Sequence, residues 1–202
     1  IKKVVIPQKV EIIKFGAFGQ CKQLETVEFE KNSLLYIIGQ SSFFNSRIQS
    51  ILIPSSVTRI EDSAFLGCDQ LTTVEFLNDS KLVFIGSKAF SETSIESITI
   101  PPHVLTIGER AFADCLQLKC IQFSESSQLQ TINDQAFYDT AIKSILIPPT
   151  VLVIGKAVFE HCVSLKNVEF PENSKLKFVS KCPFKDSKIE SISMPSNFSC
   201  IQ

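Results

Sequence analysis

The chain has 202 residues, 44% apolar and 20% charged, with a formal net charge of −1, which excludes disorder, collagen-like repetition and a strongly basic nucleic-acid footprint. With 17 Lys against 3 Arg it lacks the Arg-rich patches that read base edges, so no nucleic-acid partner is expected. No run of 18 apolar residues occurs, and the opening IKKVVIPQKV holds only three consecutive apolar residues after its lysines, so neither a membrane span nor a signal peptide is read in this segment.

One aromatic dominates: 17 Phe stand beside two Tyr and no Trp, the mark of a repeated structural slot. Along the chain Pro7, Pro54, Pro101, Pro148 and Pro195 recur every 47 residues, each closing an Ile-Pro or Met-Pro step, and Cys21, Cys68, Cys115 and Cys162 share the interval. Between them Phe18, Phe43, Phe65, Phe90, Phe112, Phe137, Phe159 and Phe184 follow at alternating spacings of 25 and 22 residues. The 47-residue unit is therefore two coils.

Within a coil the elements come in a fixed order. Eight residues before each Phe stands Val or Leu (Val57, Leu82), and five before it Ile or Val (Ile60, Ile85). The stretch from Ile13 to Phe18, and its equivalents such as Ile107 to Phe112, has the apolar spacing of a single helical turn and is too short for an independent helix. Gly39, Gly86, Gly108 and Gly155 sit four before their Phe, which predicts a backbone bend. Three after the Phe comes a small residue, Cys in one kind of coil and Ser or Thr in the other. An alternating β-branched and aromatic segment follows, such as Leu24 to Phe29, predicting a short strand.

Connections carry turn chemistry. Glu30-Lys31-Asn32-Ser33, Leu77-Asn78-Asp79-Ser80, Ser124-Glu125-Ser126-Ser127 and Pro171-Glu172-Asn173-Ser174 supply the extra three residues of the 25-residue interval. The other strands end at Pro, which has no amide to donate. No single coil holds enough apolar residues for a core, so stacking must turn each slot into a continuous internal ladder. The prediction is a solenoid with a parallel sheet on one wall and short helical turns or irregular coil on the other.

The pattern V-x-x-I-x-x-x-A-F-x-x-C-x-x-L-x-x-V-x-F, on Val57, Ile60, Ala64, Phe65, Cys68, Leu71, Val74 and Phe76, resembles the BspA-like leucine-rich repeat family, and the likeness covers essentially all 202 residues. That resemblance implies a leucine-rich-repeat solenoid, here one segment over 1–202 of about eight to nine coils taken from a longer array. It also implies a non-catalytic module of surface-associated proteins, on the cell surface or secreted, that recognises a protein or matrix ligand. An intracellular leucine-rich-repeat scaffold is the alternative, and self-association through uncapped coil ends is a third reading. Pro183 replaces the usual Ala before Phe184, which predicts a local distortion there.

Neither metal nor cofactor is expected. At about 4.8 Å per coil, Cys21, Cys68, Cys115 and Cys162 fall on the order of 10 Å apart, beyond disulfide reach and incompatible with a thiolate cage. They are predicted to be a buried structural ladder with the eight Phe. Cys120 is the expected exposed thiol, while Cys182 and Cys200 fall out of phase. His161 beside Cys162 makes no dyad, because the Cys belongs to the ladder, and His103 reads as a solvated turn residue. Phosphate-binding loops, His-rich metal motifs and G-x-S-x-G are missing from the sequence, so no catalytic residue is assigned. Asn78-Asp79-Ser80 and Asn197-Phe198-Ser199 match the N-glycosylation acceptor.

Binding is expected from surface left over once the ladders are filled. Between the last two apolar slots of each strand lie Glu28, Leu52, Glu75, Thr99, Gln122, Leu146, Glu169 and Ser193, a column of alternating acid and apolar character. A basic spot of Lys119, Lys143 and Lys166 lies in a parallel column. These residues form the candidate ligand face.

Overall fold

The computed structural model describes residues 1–195. Among them the odd-numbered strands form one wall: β1 Lys3–Ile6, β3 Thr26–Phe29, β5 Ser50–Ile53, β7 Thr73–Phe76, β9 Ser97–Ile100, β11 Cys120–Phe123, β13 Ser144–Leu146, β15 Asn167–Glu169 and β17 Ser191–Ser193. The even-numbered strands form the other: β2 Ile12–Ile13, β4 Ile37–Ile38, β6 Arg59–Ile60, β8 Phe84–Ile85, β10 Thr106–Ile107, β12 Thr131–Ile132, β14 Val153–Ile154 and β16 Phe178–Val179. Every pairing is parallel, and each coil contributes one strand to each wall, so the chain is a parallel β-solenoid.

Burial follows the period. Val27, Ile51, Val74, Ile98, Ile121, Ile145 and Val168 point inward from the first wall and the residues beside them are exposed or half-exposed, the two-residue alternation of a strand buried on one face. Ile38, Ile60, Ile85, Ile107, Ile132 and Ile154 answer from the second wall, all fully buried. Between the walls runs the Phe ladder. From Phe18 to Phe184 consecutive rings stack at centroid distances of 5.2–5.6 Å and interplanar angles of 3–18°.

The second wall differs in detail from the helical turn expected over Ile13 to Phe18: among the described residues there is no helix. Ile13 and its equivalents extend into a two-residue strand, and the Phe then sits in a tight corner. The reason lies in the backbone. Two residues per coil, two before and two after the Phe, take positive φ: Ser63 (56°) and Gly67 (70°) around Phe65, Arg110 (53°) and Asp114 (60°) around Phe112. A helix cannot accommodate these, and each costs a non-glycine residue on the order of 1 kcal/mol.

What compensates is a complete hydrogen-bond ladder. Amides of the two left-handed residues and of the Phe donate to the next coil, as in Ser63 N to Ser87 O (2.7 Å), Phe65 N to Ala89 O (2.8 Å) and Gly67 N to Ser91 O (3.0 Å). The intervening amides donate within the coil, Ala64 N to Glu61 O (3.3 Å) and Leu66 N to Ser63 O (3.2 Å). Alternate amides thus point along and within the coil, and none of these is orphaned.

Pro183 distorts its corner only locally, with the turn that the other corners begin three residues before the Phe missing at 181–182. It falls where the amide makes only a local turn bond, such as Ala64 N to Glu61 O, so the missing donor spares the intercoil ladder. Its carbonyl still accepts from Phe159 N at 2.7 Å, and Phe184 stacks on Phe159 at 5.6 Å and 9°. Every second-wall strand ends at the glycine slot, whether it holds Gly or, in other coils, Lys14, Glu61, Asn133 or Ser180. Gly39, Gly86, Gly108 and Gly155 do not have positive φ, and no bend requires them. They relieve crowding instead: a Cβ on Gly86 would come 2.6 Å from the Asp62 amide nitrogen.

Candidate functional site

The residues of the first wall that face away from the core are brought into line by the strand register. Val5 pairs with Glu28, Leu52 with Glu75, Thr99 with Gln122, and Leu146 with Glu169, which in turn pairs with Ser193. All of these column members are exposed, Leu52 at 47% and Leu146 at 58%. Glu28 is held by Lys3 Nζ at 2.6 Å, and Thr99 Oγ1 donates to Gln122 Oε1 at 3.4 Å. Glu75 and Glu169 have no ion-pair partner among the described residues.

The lysine column is flanked by acids. Lys119 lies 3.9 Å from Glu96 and Lys166 2.9 Å from Glu190, leaving Lys143 between them without an ion pair among the described residues. These are exposed pairs, each contributing well under about 1 kcal/mol.

The first wall is not uniformly bonded. Pairing over three or four residues joins β1 to β3, β5 to β7, β9 to β11, β13 to β15 and β15 to β17, whereas β3 and β5 share only Thr26 with Ser50 and neither β7–β9 nor β11–β13 has ladder pairs. The long loop follows the upstream strand of each loose pair, and a cleft opens there. Sequence reasoning missed these seams; the three extra residues of the 25-residue interval were the available signal. The first cleft contains Glu28, Phe29, Leu52 and Pro54, the second Glu75, Phe76, Thr99 and Pro101, the third Gln122, Phe123, Leu146 and Pro148. Each set is the previous one moved 47 residues along the chain.

Elsewhere the chemistry is structural. Cys68, Cys115 and Cys162 are buried free thiols whose Sγ atoms donate to the carbonyls of Phe43, Phe90 and Phe137 at 3.0 Å each, and Ser46, Thr93 and Thr140 fill the intervening rungs. Burial pushes the Cys68 and Cys115 thiols from the ordinary 9.0 up to about 11 and raises Cys162 as well, so their thiolates are suppressed. Cys21, at the first rung, is half-buried. The expected exposed thiol is corrected. Cys120 is only half-exposed, while Cys182, at a left-handed corner (φ 53°), is exposed. Cys200 and the acceptor Asn197 lie outside the described residues.

His161 forms no dyad with Cys162, whose thiol is committed to Phe137 O. It packs edge-on against Tyr138, ring centroids 5.3 Å apart, and faces Asp186 at 3.9 Å. Ligand atoms of Glu160, His161 and Asp186 lie within 4.8 Å of one another. Lys185 already serves both carboxylates, at 2.6 Å from Glu160 and 3.8 Å from Asp186, and its hydrogen bond holds Glu160 below the usual carboxylate range. The group is an ion-pair network between the last two corners.

Models of the BspA type leucine-rich repeat region match residues 1–84 and 83–202 in six copies. The chain belongs to the BspA-type leucine-rich repeat family. The same coil architecture is seen in a leucine-rich repeat protein from Bacteroides ovatus, TM-score 0.64 at 20% identity over 98% of this chain and 74% of that one. A leucine rich cell surface protein from Faecalibacterium prausnitzii aligns at TM-score 0.47 and 18% identity, over 100% of this chain and 80% of that one. The pneumococcal vaccine antigen PcpA aligns at TM-score 0.41 and 20% identity, over 94% and 69%. No curated protein matches the sequence significantly. No helix among the described residues of this BspA-type region is long and apolar enough to cross a membrane.

Proposed function

We propose that this BspA-type solenoid is a non-catalytic binding and adhesion module of a surface-associated protein, taking a protein or matrix ligand on the outward face of its first wall. One observation carries the reading: every inward slot is spent on packing, yet the outward column remains exposed along the array and includes two leucines that no fold requirement explains. The face has no Trp and no Arg anchor, so its affinity comes from weak contacts repeated along the coils. Both the family and the absence of an assembled catalytic group among the described residues favour recognition over chemistry.

The test is immobilisation of the protein and measurement of binding to purified collagen, laminin and fibronectin, beside a variant carrying Leu52→Asp, Glu75→Lys, Leu146→Asp and Glu169→Lys. Binding to at least one matrix protein, lost in the variant, supports the reading. Equal binding by both proteins removes the face from the account. Antibody labelling of the full-length protein on intact against permeabilised cells decides the compartment, and labelling only after permeabilisation moves the assignment to an intracellular scaffold.

A further inference from the structure

We infer that the three seam clefts together bind an extended, proline-rich cationic segment of a partner protein, in polyproline II conformation with a Lys or Arg at every third residue. The inference rests on the first wall being the binding face and specifies what that face takes.

Three observations point to this occupant. First, the clefts are one site built three times, because the same four slots, now Glu28, Phe29, Leu52 and Pro54 and then their equivalents 47 and 94 residues on, line each of them. Their volumes are comparable, 640, 670 and 500 Å³. A row of equal sites selects a ligand with a matching repeat.

Second, the period fits a polyproline II backbone. Successive clefts are two coils apart, about 10 Å, between two ordinary strand spacings and the two ring spacings, 5.2 and 5.3 Å, on either side of Phe90. A polyproline II chain advances about 9.3 Å per three residues and returns a side chain to the same side at each step. An extended β chain presents the same side every second residue, about 6.7 Å, and falls out of register by the second cleft. An α-helix comes back after about 10.5 Å, and a helical control peptide separates it from polyproline II.

Third, the lining sets the chemistry. Phe29, Phe76 and Phe123 are half-buried, each beside a proline of the following coil, and aromatic-lined grooves are what Pro-rich segments dock into. All three clefts are acidic. Glu75 charges the second and Glu125 the third with no basic residue opposing either, while Glu28, Glu30 and Asp79 outnumber Lys31 in the first. One oxygen of Glu30 accepts from the Gln8 amide at 2.8 Å, and Glu28 pairs with Lys3, so the second and third clefts hold the free carboxylates. A partner cation there meets a carboxylate at the rim and a Phe ring at the floor.

The probe is a synthetic peptide of about five Pro-Pro-Lys triplets, compared with a peptide of identical composition whose lysines are clustered at one end and with a helical peptide bearing the same charges. The triplet peptide is expected to bind at least about ten-fold tighter than either control and to weaken as salt rises. Glu75→Lys with Glu125→Lys lowers its affinity at least about ten-fold, whereas Glu109→Lys, exposed on the other wall, leaves it unchanged. Equal binding of the triplet and clustered peptides, preference for the helical one, or no binding of any overturns the proposal. Running the matrix proteins in parallel separates the two levels. Matrix capture that depends on the face but is not displaced by the triplet peptide refutes the occupant alone, while capture indifferent to the face variant refutes both.

Discussion

Replacing Phe90 by Ala interrogates the ladder directly. Phe90 is fully buried, and its ring stacks on Phe65 at 5.2 Å and on Phe112 at 5.3 Å. Truncation removes the transfer energy of the ring and leaves a cavity that rigid neighbouring rungs cannot close, a combination that costs about 3–5 kcal/mol for a buried Phe. Loss of two stacked pairs, each about 0.5–1.5 kcal/mol, places Phe90→Ala at the upper end of that range. Phe18 is half-exposed and stacks on Phe43 alone, so Phe18→Ala should cost about half as much. Urea titration followed by far-UV circular dichroism, with the slope of the transition checked for constancy, measures both. A loss below about 2 kcal/mol at Phe90, or equal losses at the two positions, would show that the coils are held by the strand walls and not by the ring stack.

Ser42 stands where five of the other seven coils have Ala, and its buried Oγ has no hydrogen-bond partner among the described residues; Ser42→Ala should raise stability by about 1 kcal/mol in the same titration. Gly86→Ala should destabilise by about 1–3 kcal/mol, since the new Cβ would meet the Asp62 backbone at 2.6 Å. In the folded protein at pH 8, a thiol reagent should modify Cys182 rapidly and Cys120 slowly, and leave Cys68, Cys115 and Cys162 untouched until urea is added; early modification of Cys115 would contradict its burial. Because Cys68 and Cys115 hold their protons up to about pH 11 in the folded state and lose them near 9.0 when unfolded, their contribution to stability is complete below pH 9 and declines from there to about pH 11. An unfolding midpoint that stays flat over that window in wild type, and matches that of a Cys68→Ala, Cys115→Ala variant, would argue against the raised values.

The ladder was legible in the sequence because its residues are interchangeable only with near-copies of themselves. A slot that must hold a flat ring against two others returns Phe at 43, 65 and 90 alike, and the repetition exposes it without any structural input. The corner was not legible. Left-handed φ falls on Arg110, Asp114, Gln135 and His161, residue types with no common propensity, because the intercoil amide bonds impose the conformation whatever the side chain. Glycine was a misleading guide for the same reason, since four of the seven sit where space is short and the backbone ordinary. On the surface, exposure of Glu75 or Leu146 follows from strand alternation, but the seams depend on which neighbouring strands pair, and loop length alone does not reveal it, since β15 and β17 pair across a loop as long as those at the seams.

Loop length thereby links fold to recognition. A solenoid of identical coils would bond every strand to the next and present a closed, flat wall. Here the coil that ends in Phe carries three extra residues before its partner begins, and at three of these four junctions the first-wall bonding falls from the four-residue register of β5–β7 to the single pair of β3–β5 or to none, while β15 and β17 keep three pairs. The core tolerates this because the Phe stack and the second wall run on without interruption: β2 through β16 pair in one eight-stranded sheet, and the ring spacing across a seam, 5.2 Å from Phe65 to Phe90, equals that within a pair, 5.2 Å from Phe43 to Phe65. Stability therefore resides on one side of each coil, leaving the opposite side free to open a cleft at the β3–β5, β7–β9 and β11–β13 junctions, whereas β15 and β17 stay paired. Shortening a loop to the 22-residue spacing by deleting Asn78, Asp79 and Ser80 should close the second cleft and restore pairing between β7 and β9. Amide exchange of Ile98 and Ile100 in that deletion variant should slow by an order of magnitude or more if the loop holds the seam open, and remain at the wild-type rate if the strands part for another reason.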